Sequence, residues 1–425
     1  MKSRNFTGGI NIIKDRFFST AVPREKVLLV GNRENSLDEL AELTRTAGGE
    51  VEKKTTHSPD NVNPAFYIGR GKLFEVKAEL ENSSINLVII DGKLSPAQHR
   101  NLEEELGTRV IDRNQLILDI FSLHARTKES KLQVEKAQLE YLFSRLTGKG
   151  EEMSRLGAGI GTRGPGETKL ETDRRRISDR IHRLKQELKD ISRTREVQRQ
   201  DREDPVIALT GYTNAGKSTL LNQITDGDNM VADQLFATLD STLHKFNLPS
   251  GKRAIITDTV GFIRNLPHQL IASFRATLEE ITRADIILHI VDGSTEGVDQ
   301  RINVVEDVLD DLEADPHEEF LIINKIDKIS GSKLENLKTR HPEACFISAR
   351  TGDSVDELLE LVNSSINQRL SRVSSTIPYN QAGLVEKIHN RGQVEEEEYS
   401  QEGISITALV PEDLAKKTHR VSDRN

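Results

Sequence analysis

Tryptophan is absent from this 425-residue sequence, and aromatic residues make up only 4% of it. A working surface that stacks successive nucleic-acid bases on exposed rings is therefore excluded. The cores must come from Leu, Ile, Val and Ala, within the 35% of residues that are hydrophobic. A single cysteine, Cys345, rules out an internal disulfide and a multi-thiolate zinc ribbon, and it predicts a reducing, cytoplasmic setting. No apolar run approaches the ~18 residues of a membrane span. The opening stretch MKSRNFTGGINIIKDRFFST breaks its short apolar pieces with Lys14, Asp15 and Arg16, so neither a span nor a secretory signal is expected. Positive charge is also in deficit: 59 Lys and Arg against 68 Asp and Glu give −9. That excludes coating of nucleic acid by the whole surface and leaves only a local basic face for such contact.

At ~100–200 residues per domain, this length predicts two to four folding units. After an N-terminal extension over 1–25, residues 26–126 alternate apolar runs with polar helical stretches: KVLLVG, NSLDELAELTRTAGG, NLVIID, PAQHRNLEEELG and RVIDR. This is the rhythm of βα units around a mostly parallel sheet. Residues 127–203 then turn helical. Leu132, Leu139 and Leu146 fall seven apart, with Leu142 between them, and Ile177, Ile181, Leu184, Leu188 and Ile191 follow at steps of 4, 3, 4 and 3. Two such stripes bury each other best in an antiparallel hairpin. Its loop, read over 148–171, holds seven glycines between Gly148 and Gly166, with Lys149, Arg155 and Arg163 among them. Gly159, Gly161 and Gly164 satisfy G-x-G-x-x-G, but a helix precedes them where a dinucleotide fingerprint needs a strand, so that match is rejected. The second helix is basic: residues 173–202 carry eleven Arg or Lys against six Asp or Glu, starting with Arg174, Arg175 and Arg176. One reading is the solvated exterior of a coiled coil; the other is phosphate contact with RNA, with Arg155 and Arg163 at the tip.

Residues 204–370 return to strands and helices, with PVIALTG, RAIITD, DIILHIVD and EFLIIN as strand candidates. Residues 371–425 form a small appended α+β domain, whose Glu395–Glu398 run is expected to face solvent. The predicted fold class is α/β: a phosphate-loop domain preceded by an α/β subdomain and an antiparallel hairpin.

The chemistry sits in the third segment. Gly211, Tyr212, Thr213, Asn214, Ala215, Gly216, Lys217 and Ser218 fit G-x-x-x-x-G-K-[ST] directly after a strand and before a helix that continues through Thr219. Glycines let backbone amides converge on phosphate oxygens at a helix N-terminus. Lys217 is read as reaching the β- and γ-phosphates and Ser218 as a Mg²⁺ ligand. The strand AIIT ends in Asp258, Thr259, Val260 and Gly261, a D-x-x-G that puts a carboxylate near the metal and an amide near the γ-phosphate. Between the two lies a switch segment, Phe236, Ala237, Thr238, Leu239 and Asp240; Thr238 is the expected second metal ligand, with Thr242 as the fallback. After the apolar run FLII come Asn324, Lys325, Ile326 and Asp327, an N-K-x-D whose carboxylate matches the N1–H and N2–H₂ edge of guanine. Ser348, Ala349 and Arg350, at the next strand end, would offer an amide to guanine O6.

One group is missing. Ras-like enzymes follow D-x-x-G with a Gln that orients the attacking water, and here Phe262 takes its place. A phenyl ring cannot do this, so slow intrinsic hydrolysis is expected unless a partner, a cation, Arg264 or His268 compensates. Asn214 is read either as helping to hold K⁺ against the phosphates or as bonding its own backbone.

Several stretches together closely resemble the HflX family of GTPases, relatives of the Obg group: GRGK at 69–72, RNQLILDIF, GIGTRGPGETKLETDRRRI at 159–177, LFATLD at 235–240 and DTVGF at 258–262. The resemblance runs from about residue 20 to 370. It implies a monomeric GTPase that binds the large ribosomal subunit and its RNA and splits stalled ribosomes, with the glycine loop reaching towards the peptidyl transferase region. It also makes Phe262 a family feature, which favours turnover stimulated by the ribosome. Two other readings are a large-subunit assembly GTPase without splitting activity and a switch that acts on protein partners.

Overall fold

Val-, Ile- and Leu-rich runs form three sheets in the computed structural model of this chain, which describes residues 24–58, 62–156, 165–200, 204–225, 235–236, 242–264, 278, 280–312, 314, 318–368, 370–411 and 414–418. The chain divides into two compact units, Met1–Asp119 and Ile120–Asn425.

In the first unit, β1 (Lys26–Gly31), β2 (Glu50–Thr56), β3 (Leu87–Ile90) and β4 (Arg109–Asp112) pair in parallel in the order β2-β1-β3-β4. Parallel neighbours need crossover connections, here α1 (Glu34–Thr46), α2 (Arg70–Glu81) and α3 (Pro96–Leu106). The third of these is specified locally. Ser95 and Gln98 form a reciprocal capping box, Pro96 occupies the first turn, and Gly107 ends the helix at φ 63°. Leu28, Val30, Val88, Ile90 and Val110 of the strands pack against Leu73, Val76 and Leu102 of the helices. A charged cluster sits beside this core. Arg113, 1% exposed, donates to Asp91 at 2.9 Å and to Glu39. It begins α4 (Arg113–His124), which continues into the second unit.

The second unit opens with α5 (Lys128–Leu156) and α6 (Pro165–Gln200). Arg180 forms a two-bonded pair with Glu135 at 2.7 and 2.8 Å, and Arg174 lies over the Phe143 ring at 5.5 Å, so the chain runs in opposite directions in the two helices. Leu132, Val134, Ala137, Ile181 and Leu184 are buried, whereas Leu142 is 40% exposed. Burial on several faces near the start of α5, with Gln133 fully buried beside Leu132 and Val134, gives way to exposure further along the helix. Residues 148–156 and 165–171, read from sequence as loop, are helical. Glu151, Glu152, Met153, Arg155 and Leu156 favour helix strongly enough to carry α5 past Gly148 and Gly150. Pro165 suits a first turn, where its missing N–H is no loss. Residues 157–164, with Arg163, lie outside the described residues, as does the side chain of Arg155.

A six-stranded sheet follows in the order β10-β9-β8-β5-β7-β6. Its strands are β5 (Val206–Gly211), β6 (Thr242–Asn247), β7 (Arg253–Asp258), β8 (Ile286–Asp292), β9 (Glu318–Asn324) and β10 (Cys345–Phe346), with β6 alone antiparallel. Helices α7 (Lys217–Thr225), α8 (Val298–Asp311), α9 (Gly331–Arg340) and α10 (Val355–Gln368) belong to it. Ile207, Leu209, Ile286 and Leu288 pack with Leu220, Leu221, Leu358 and Val362, while Val291 and Ile323 pack with Val298 and Ile302. Two-sided burial of this kind explains the near-continuous apolar runs. A three-stranded antiparallel sheet, β11 (Ser371–Ile377), β12 (Gln393–Tyr399) and β13 (Ile404–Val410), then packs with α11 (Ala382–Arg391). Glu395, Glu396 and Glu398 are exposed on its edge strand. Among the described residues, no helix is long and apolar enough to cross a membrane.

The Arg113 cluster gives a direct test of the first unit. Arg113→Met leaves two carboxylates without their buried cation, and we expect a loss of about 3–5 kcal/mol, read as a lower urea midpoint for that unit. An unchanged midpoint would mean that the carboxylates do not need the cation.

Candidate nucleotide site

Because β5, β7, β8, β9 and β10 are parallel, their carboxyl ends open on one edge of the sheet, where ligands of open α/β sheets bind. Gly211 ends β5 at φ 144°, and a Cβ there would lie 2.1 Å from the Ile290 carbonyl oxygen. Gly216, at φ 101°, brings the loop so close to Asn324 that a Cβ would lie 2.2 Å from its Nδ2. Both positions exclude any side chain. The loop thereby delivers its amides to the start of α7, as an anion cradle requires.

Lys217 is 7% exposed, and its Nζ donates to the carbonyls of Gly211 and Tyr212, each at 3.1 Å. Burial pushes the amine down to about 8 against the pull of the Asp258 carboxylate, so an anionic ligand would restore the charge that burial disfavours. Ser218 Oγ donates to Asp258 Oδ2 at 2.7 Å. Two hard oxygen donors next to a phosphate cradle are the chemistry Mg²⁺ requires, so these residues fit the ion that the motif implies. Thr259 turns inward, its hydroxyl bonded to the Leu209 carbonyl at 2.6 Å, and Val260 is buried. Ala237, Thr238, Leu239, Asp240 and His268 lie outside the described residues. The fallback Thr242 is exposed on β6, in register with Asp258.

The D-x-x-G segment is stitched to the phosphate loop. A Cβ on Gly261 would sit 2.8 Å from Thr213 Cγ2 and 3.0 Å from Lys217 Nζ, so glycine alone allows this approach. The Phe262 N–H donates to the Gly211 carbonyl at 3.0 Å, and the Thr213 N–H donates to the Phe262 carbonyl at 2.7 Å. The Phe262 side chain is 1% exposed. The residue in the Gln position is thus a packing residue, with its backbone committed to the loop. Tyr212 secures the same junction: its hydroxyl accepts the Arg264 N–H at 3.0 Å, and Arg301 stacks on its ring at 4.9 Å.

The N-K-x-D segment joins the loop from the other side. Asn324, 2% exposed, donates from Nδ2 to the Ala215 carbonyl at 2.8 Å and accepts the Ala349 N–H at 2.9 Å. Lys325, at φ 65°, donates from Nζ to the Asn214 carbonyl at 2.7 Å and to Asp292 Oδ2 at 2.8 Å. Asp327 is exposed, and its Oδ1 accepts the Ser348 hydroxyl at 2.8 Å, which fixes the carboxylate plane. Ile326 donates to the Ile347 carbonyl at 3.3 Å, and Arg350 is exposed. Sequence reasoning missed Asp292. Burial pushes its carboxyl up, but hydrogen bonds from Lys325 and Ser294 outweigh this and hold it below the ordinary carboxylate range. Its signal was available, since DIILHIVD ends its apolar run in an Asp, as RAIITD does.

A parallel sheet with this loop, a D-x-x-G and an N-K-x-D at successive strand ends defines a phosphate-loop GTPase. Residues 206–325 match the family described as "50S ribosome-binding GTPase". Residues 34–122 match "GTP-binding GTPase N-terminal", and residues 124–202 match "GTP-binding GTPase Middle Region". The chain is 46% identical over 395 residues to the GTPase HflX of Caldanaerobacter subterraneus, covering 91% of each. It is 38% identical over 381 residues to that of Escherichia coli, covering 88% of this chain and 89% of the relative. The chain belongs to the HflX family of GTPases. Among solved structures, it is similar to a GTP-binding protein from Sulfolobus solfataricus in complex with GDP, at 25% identity and a TM-score of 0.44, covering 81% of this chain and 99% of that one.

Asn324 is the residue whose loss separates the two halves of the site. Asn324→Ala leaves a buried carbonyl and a buried amide unpaired, at about 1–3 kcal/mol each. We expect GDP affinity, measured with a fluorescent analogue, to fall at least about tenfold with the far-ultraviolet dichroism unchanged.

Proposed function

We propose that this GTPase acts in the cytoplasm on the ribosome, binding the RNA of the large subunit through the basic hairpin and, in its GTP form, separating stalled ribosomes into subunits. Its working parts are an α/β subdomain over 26–126, the hairpin over 127–203, the G domain over 204–370 and a small C-terminal domain over 371–425. The observation that carries the reading is the charge of α6: Arg175 and Arg176 are exposed on a two-helix arm of a chain whose net charge is −9. Arg174 is partly engaged with Phe143, so it contributes less free charge. The ribosome-binding GTPase family that residues 206–325 match supports the same partner.

In the site, the amides from Thr213 to Thr219 and the Lys217 amine hold the triphosphate. Asp327, oriented by Ser348, reads the guanine edge, and the turn of Ser348, Ala349 and Arg350 offers a backbone amide to O6. Ser218 and Thr238 would hold Mg²⁺ beside Asp258, and the ion supplies charge neutralisation at the β- and γ-phosphates. Gly261 offers its amide to the γ-phosphate. No side chain at 262 orients the water, so the ribosome is the natural source of the missing catalytic contribution.

Lys217→Ala is expected to abolish nucleotide binding. Asp327→Asn should relax the preference for guanine by about 2–4 kcal/mol, as for a polar pair left unmatched once the base covers it, read by competition between GTP and XTP. For the partner, joined ribosomes mixed with the protein and GTP should lose light scattering as subunits separate. Scattering that stays constant while free large subunits still bind indicates an assembly factor instead. Changing Arg174, Arg175 and Arg176 to Glu should weaken ribosome co-sedimentation and flatten its salt dependence, with GTP affinity unchanged; undiminished binding at low salt would exclude this face as the RNA contact.

A further inference from the structure

The helix that enters the hairpin ends against the segment read here as the switch. Phe121, on α4, is fully buried, and its ring meets that of Phe236 edge-on, with centroids 4.7 Å apart and planes at 72°. Phe236 is 2% exposed and its neighbour Leu235 is 5% exposed, so the start of LFATLD is anchored in apolar packing. Phe236 also holds φ at 58°, a left-handed conformation that an aromatic residue adopts only at a cost. Something must hold it there, and the ring of Phe121 is the contact in place to do so. Edge-on aromatic pairs prefer particular orientations, which a general apolar filler does not impose. Two residues further along the chain comes Thr238.

We propose that Phe121, which lies outside the phosphate-loop domain, is a positioning residue for GTP hydrolysis: packed edge-on against Phe236, it fixes the entry of the switch segment in its left-handed turn. The inference rests on the reading of Phe236–Asp240 as the nucleotide switch. It gives α4 a role in the chemistry, because without the Phe121 ring the left-handed backbone at Phe236, two residues before Thr238 in sequence, loses that contact. GDP is held by the phosphate loop and the guanine loops, so its binding does not depend on the contact.

The test uses the full chain, with single-turnover GTP hydrolysis, fluorescent GDP binding and thermal melting measured side by side. Phe121→Ala should slow hydrolysis about three- to tenfold, while the dissociation constant for GDP moves by less than about twofold. Phe121→Leu, which refills the volume, should recover part of the rate. Phe236→Ala should slow hydrolysis to a similar degree, and the double variant should be no slower than either single one, because both remove the same contact. An unchanged rate in Phe121→Ala overturns the proposal. So do multiplicative losses in the double variant, or a loss of GDP affinity and melting temperature in step with the rate, since the pair would then be ordinary core packing. Thr238→Ala separates the two levels: if it slows hydrolysis and Phe121→Ala does not, only this inference fails, and if it leaves the rate untouched, the switch reading fails and takes the inference with it.

Discussion

The side chain of Asn324 holds this site together. From the end of β9 it reaches the Ala215 carbonyl in one direction and the Ala349 amide in the other. The phosphate-binding loop and both guanine-reading segments are thereby referred to one buried amide group. Gly216 exists for the same contact, because any Cβ there would displace Asn324. An Asp at position 324 could accept from Ala349 but could not donate to Ala215, and a Gln would overshoot both. The phosphate-loop motif and the N-K-x-D segment are therefore one structural unit, positioned by parallel strands whose ends are set by the sheet register.

A second constraint comes from what position 262 has become. In a Ras-like site this residue serves the water, and here it serves the fold. Its ring is in the core, and its N–H and C=O extend a short ladder to Gly211 and Thr213. Tyr212 adds a bond to Arg264 on the far side of the same turn. The segment is thus tied at successive points to the loop that cradles phosphate. The backbone of the D-x-x-G segment is therefore coupled by geometry to the phosphate-loop motif.

Much of this was legible before any coordinates. The phosphate loop, D-x-x-G and N-K-x-D each combine a strand end with residue types of narrow chemistry, so the strand-end setting of Lys217, Ser218, Asp258, Asn324 and Asp327 could be read from spacing and context. The hairpin was visible as two heptad stripes. Less legible were features that depend on what a residue meets in space. Glycine content around 148–171 suggested a long loop, but the helix-forming residues between the glycines and the first-turn preference of Pro165 shortened it. Asp292 looked like an ordinary strand end until Lys325 was found against it. The burial of Arg113 between Asp91 and Glu39 could not be read either, because pairing across α1, β3 and α4 leaves no local pattern.

The scarcity of aromatic residues gains meaning at the site. An aliphatic core packs well in many orientations and tolerates sliding, whereas an edge-on ring pair has a preferred angle and a buried tyrosine hydroxyl needs a particular partner. The six-stranded sheet is built mostly from aliphatic residues, with Phe246, Phe320 and Phe346 among them, while Tyr212 and Phe262 lie at the phosphate loop and Phe121 packs edge-on against Phe236. An edge-on ring pair responds to displacement by losing a defined contact, which a purely aliphatic neighbour would not register as sharply.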